Sequence, residues 1–86
     1  MKHAGPTALD DLAPLLAELR ALPGLVEKGR GVFYRKSRAF LHFHEDPAGL
    51  FADLRDPAGA DFERFNVTHA EDRRHFVDRV RTRLSD

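Results

Sequence analysis

Asp46-Pro47-Ala48-Gly49, then Leu50-Phe51-Ala52-Asp53-Leu54-Arg55, then Asp56-Pro57-Ala58-Gly59: one tetrad occurs twice with six residues between the copies. Proline after aspartate pre-sets φ for the first central position of a turn, and glycine suits the fourth. Six residues between two turns is a strand length and too short for a helix. The repeat therefore predicts a β-meander, and the register decides which side chains share a face. If the first tetrad closes a four-residue loop, Glu45 faces Leu50. Outward counting then sets Phe43 opposite Ala52 and Leu41 opposite Leu54, an apolar face fit to lie under helices. On the reverse face His44 opposes Phe51, His42 opposes Asp53 and Phe40 opposes Arg55.

Outward from this hairpin, strand-like runs cover about 31–35, 38–45, 50–55 and 61–67. The same counting across the second tetrad pairs Leu50 with Phe65 but sends Asp61 and Glu63 to the apolar face. A bulge near Asp61 to Arg64, or a later strand start, would resolve that conflict. On the N-terminal side Leu9, Leu12, Leu15, Leu16, Leu19 and Leu22 form an apolar stripe at helical spacing. Pro14 is tolerated if the helix begins near Asp10 or Asp11, and Leu22-Pro23-Gly24 ends it. On the C-terminal side Thr68-His69-Ala70-Glu71 has the form of a capping box ahead of Phe76, Val77, Val80 and Leu84. The expected fold is α+β, in the order α-β-β-β-β-α. A four-stranded antiparallel meander carries helices near 10–22 and 69–84 on one face. Leu12, Leu15, Leu16, Leu19, Leu41, Phe43, Leu50, Leu54, Phe65, Phe76, Val77 and Val80 are the expected core.

Composition narrows the function classes. Eighty-six residues make one domain, able to bury roughly 60–65% of its unfolded surface. Fourteen Lys and Arg balance fourteen Asp and Glu, so no global field draws the chain to nucleic acid or membrane. Without cysteine there is neither a disulfide scaffold nor a thiolate metal site. No apolar run suggests a leader or a membrane span, which leads us to expect a cytoplasmic protein.

Leu22-Pro23-Gly24-Leu25-Val26-Glu27-Lys28, Phe33-Tyr34-Arg35-Lys36 and Ala39-Phe40-Leu41-His42 together resemble the MmcQ/YjbR family over roughly residues 10–54. The family has a first helix ending in an LPG-like turn, then a strand of F-x-x-x-x-K/R-x-F type. Where Gly31-Val32-Phe33 stands, it often has a Trp-Gly element that this chain lacks. The resemblance implies a frataxin-like fold and DNA binding, and it transfers no catalytic residues.

Three residue groups could carry function. His42-Phe43-His44 puts two imidazoles on one strand face, spaced for a metal with Asp53, Glu45 or Asp46 as third ligand. Set against this is an ordinary solvated face with a His42–Asp53 cross-strand pair. Lys28, Arg30, Arg35, Lys36 and Arg38 crowd around Phe33 and Tyr34, as phosphate contact with base stacking requires. Phe40 and Phe51, on the face away from the helices, are costly unless a partner or a second copy of the chain covers them. Catalysis is not expected: no nucleophile or Gly-rich phosphate loop accompanies the histidines. The expected function is thus a small non-enzymatic binding domain without a cofactor. Phe40, His42, His44, Phe51 and Asp53 form its surface for a protein partner or homodimer. Lys28, Arg30, Arg35, Lys36 and Arg38 form its anion contact, and metal binding by His42 and His44 is the alternative.

Overall fold

Residues 1–85 are described by a computed structural model. They run as β1 (Lys2–His3), α1 (Pro6–Asp11), α2 (Ala13–Arg20), β2 (Val26–Gly29), β3 (Val32–Arg35), β4 (Arg38–Asp46), β5 (Gly49–Arg55), β6 (Phe62–Asn66) and α3 (Ala70–Ser85). Strands β2 to β6 pair in sequence order as an antiparallel meander. β3 covers only one half of the long strand β4, and β1 pairs with the other half, Lys2 to Glu45 and His3 to His44. The helices and one sheet face share a single apolar cluster. In it Leu12, Leu16, Leu19, Leu41, Leu54 and Val80 are fully buried. The α+β class and the antiparallel sheet agree with the sequence reading; among the described residues the sheet has six strands rather than four, and there are three helices rather than two.

Proline placement divides the leucine stripe. Pro6 starts α1 after an extended Gly5, and Pro14 falls in the first turn of α2, where its missing N–H costs nothing. Leu12, at φ −86° and ψ 2°, joins the two helices, so the expected single helix over 10–22 is two shorter ones starting at Pro6. Both still bury their leucines against the sheet.

The β4–β5 register is the one that turn counting predicts, from Leu41–Leu54 through His42–Asp53 to Glu45–Leu50. The next strand is displaced by two residues. Phe65 meets Ala52, not Leu50, because Asp56–Asp61 makes a wider loop closed by Asp56 N to Asp61 O at 2.8 Å. A two-residue shift keeps the parity, so Glu63 does face the helices. It needs no bulge: the buried Arg83 of α3 donates to it at 2.7 Å. Thr68 does not cap α3 as expected. Its hydroxyl accepts from Leu50 N at 3.1 Å, and Asp72 caps His69 N at 3.2 Å, one residue later. Gly49 is required here: at φ 143°, a Cβ would lie 2.2 Å from the Thr68 hydroxyl.

One face assignment is corrected. The β3–β4 register slips between Phe33–Leu41 and Tyr34–Ala39, which leaves Phe40 as an extra residue in β4. Phe40 and Leu41 are therefore both buried in succession, and Phe40 belongs to the core cluster. It is not an exposed phenylalanine awaiting a partner. Among the expected core residues Leu50 and Phe65 are only partly buried, whereas Phe33, Ala52 and Val67 join the core unforeseen.

The β3–β4 hairpin closes through Lys36 and Ser37, with φ of 52° and 68°. Both central positions are left-handed, a conformation for which Asn-Gly is favoured and Lys-Ser is not. Replacing Lys36→Asn with Ser37→Gly should raise the unfolding free energy by about 1 kcal/mol, seen as a higher urea midpoint at unchanged slope. A lower midpoint would show that the turn is not held left-handed.

Candidate functional site

The sheet face away from the helices is ordered in rows by the register. His42 of β4, Asp53 of β5 and Arg64 of β6 stand directly opposite one another. The adjoining row runs His3, His44, Phe51, Asn66. On the other side Phe62 stacks edge-on against His42 at 4.9 Å and lies 4.6 Å from the Arg55 guanidinium. The three imidazoles form one group, with ring centroids 5.0 Å apart for His42–His44 and 4.6 Å for His3–His44.

Asp53 is the centre of the group. It is buried on a face that no helix covers, because neighbouring side chains screen it. Arg64 grips it with both prongs at 2.8 Å, Nε to Oδ1 and Nη2 to Oδ2. His42 Nε2 and His44 Nδ1 approach the same oxygen, Oδ2, at 3.3 and 3.1 Å. Yet His44 Nδ1 is buried without a hydrogen bond: distance is met, but a ring N–H would not be aimed at the oxygen. Burial pushes the His42 and His44 pKa values below 6.5, more than the Asp53 charge pulls them up. Burial works against the Asp53 charge as well, but the Arg64 hydrogen bonds and charge outweigh it and hold the carboxyl below 3.8.

The donor set and its spacing suit a metal. The ligand atoms of His42, His44 and Asp53 all lie within 4.8 Å of one another. A tetrahedral ion with bonds of about 2.0 Å places its donors about 3.3 Å apart. Both His–Asp separations, 3.3 and 3.1 Å, already match that edge. Of the other third ligands considered, Glu45 instead accepts from Gly5 N at 2.6 Å, and Asp46 from Ala48 N at 3.0 Å.

The expected basic group does not form one surface. Lys28, in β2, sits over Tyr34, and Arg30, in the β2–β3 turn, pairs with Asp10 at 2.7 Å. Arg35, Lys36 and Arg38 lie at the opposite end of β3, where Arg35 donates to the last carbonyls of α3, Arg83 O and Leu84 O. His3, Phe62 and Arg64 are the members of the histidine group that sequence reasoning missed. Only a correct β5–β6 loop length would have placed Arg64 opposite Asp53.

Comparison with protein-family models, with curated proteins and with solved structures finds no match for this chain. Among the described residues no helix is long and apolar enough to cross a membrane.

Because the histidine pKa values lie below 6.5 in the fold, the unfolded chain binds more protons just under that pH. Stability should be flat above about pH 6.5 and fall as the solution is acidified through the folded values. NMR titration should give midpoints below 6.5 for His42 and His44, and His44→Phe should shrink the acid loss. A midpoint above 6.5 for either would mean that Asp53 attraction outweighs burial.

Proposed function

We propose that this chain is a small binding domain, not an enzyme, that works through the sheet face opposite its helices. There it holds a divalent first-row metal between His42, His44 and Asp53. The observation that supports this most is the gathering of three ligand atoms within 4.8 Å of one another, with His44 Nδ1 buried and unbonded. Two imidazoles and a carboxylate suit zinc and its neighbours in the first row. Neutral imidazoles at neutral pH meet an ion without proton competition. Arg64 would keep its grip on Asp53, since ligating carboxylates are themselves hydrogen-bonded. The two histidine nitrogens need to close by no more than about 1.5 Å to complete the tetrahedral face.

The DNA-binding role implied by the MmcQ/YjbR resemblance has less support, because Arg30 is paired with Asp10 and the basic residues are split between the two ends of β3. A homodimer through the open face loses one of its two phenylalanines, Phe40, to the core.

Calorimetric titration with zinc chloride at neutral pH should give one site of micromolar affinity or better. His44→Ala should weaken it at least about fiftyfold, roughly 2.3 kcal/mol, while His75→Ala on the exposed side of α3 leaves it unchanged. Zinc affinity that survives His42→Ala combined with His44→Ala would refute the site.

A further inference from the structure

A second site lies at the end of the sheet where the β3–β4 hairpin, the β5–β6 loop and the C-terminus of α3 meet. Arg35, Lys36, Arg38, Arg55 and Arg83 line a pocket of about 260 Å³ there, with Asp56 as the one carboxylate among the described lining residues. In a chain whose charges balance, five cations beside Asp56 and the Glu63 that pairs with Arg83 are a local excess among the described residues. Asp56 is also turned to its own loop, accepting from Ala60 N at 3.0 Å.

The guanidinium groups are held mainly by carbonyls, which fix their direction without neutralising them. Arg38 and Arg55 both donate to Gly59 O, at 2.9 and 3.0 Å, and Arg55 Nε donates to Ala39 O at 2.7 Å. Arg35 is fixed by Arg83 O and Leu84 O at 3.2 and 3.1 Å. Among the described residues Arg83 alone of these has a carboxylate partner, Glu63 at 2.7 Å. Each fork has five N–H groups, so these bonds leave others on Arg35, Arg38 and Arg55 for a ligand. Pre-positioned forks of this kind suit the oxygens of a phosphate. Lys36 adds a cation from a left-handed turn position, φ 52°, where a lysine is poorly suited to the backbone. Phe40 and Pro57 supply apolar wall.

We infer that this pocket binds a small organic phosphate, its phosphate held by Arg35, Lys36, Arg38 and Arg55 and its apolar body against Phe40 and Pro57. The volume is just below the roughly 300–1,000 Å³ of pockets for drug-sized ligands, which favours a phosphate monoester over anything larger. The site shares no residue with the histidine group, so it stands or falls separately.

The test is an amide NMR titration of the labelled protein with inorganic phosphate and with phenyl phosphate, sodium chloride holding ionic strength constant. Expected are saturable shifts confined to residues 35–40 and 55–60, with phenyl phosphate the tighter ligand. Arg38→Ala, which removes an exposed side chain, should weaken both ligands at least about tenfold; Lys36→Ala should weaken both at least about threefold. Shifts reproduced by sodium chloride alone would overturn the inference, as would unchanged affinity in both variants. Phenyl phosphate no tighter than phosphate would remove the apolar wall. A short DNA duplex binding the same residues more tightly than phenyl phosphate would assign the pocket to nucleic acid instead.

Discussion

Both faces of the sheet depend on the pairing of β4 with β5, in which Asp46 meets Gly49 and every later pair follows by parity. Gly49 permits the tight closure twice over: its φ of 143° suits no other residue well, and the Thr68 hydroxyl occupies the space where a Cβ would stand. Slip of β5 by one residue against β4 would turn Asp53 into the core, away from His42 and His44, and send Ala52 and Leu54 to the open face. Thr68 bonds the Leu50 backbone across the same corner, so the hairpin, the last strand and the start of α3 are set together. One turn thus settles the hydrophobic core and the polar cluster at once.

The polar cluster is a poor investment if stability alone is considered. A carboxylate with only 8% of its side chain exposed must be matched against desolvation, and its strongest partner, Arg64, is half exposed. Two flanking histidines are pushed toward neutrality by the same burial, so at neutral pH they bring little charge to Asp53. An apolar row across β4, β5 and β6 would avoid that cost. Two neutral imidazoles beside a carboxylate kept ionised by Arg64 form a set of lone pairs suited to a cation, the use proposed for the arrangement.

Much of this was legible in the chain, for reasons that are local. Turn chemistry at Asp46–Gly49 and strict alternation over 41–54 specified the hairpin, its faces and the grouping of His42, His44 and Asp53. The parts that escaped depend on longer-range effects. β1 has two residues and β2 carries Glu27, Lys28 and Gly29, so neither has an apolar pattern, and both exist through pairing with a neighbour. The identical tetrads close loops of different length, because Asp56 bonds to Asp61 while Asp46 pairs directly with Gly49. That difference hid Arg64 from Asp53. The bulge at Phe40 is a slip of one residue against β3, which alternation cannot reveal. Arg83, spaced like an apolar residue of α3, is buried because Glu63 and a strand carbonyl meet it.

X-ray absorption at the zinc edge of the zinc-loaded protein reads the ligands of the proposed site. Expected is a low-coordinate ion with bonds of about 2.0 Å and the outer-shell scattering of two imidazoles plus oxygen. An ion surrounded by oxygen alone, without imidazole scattering, would contradict it.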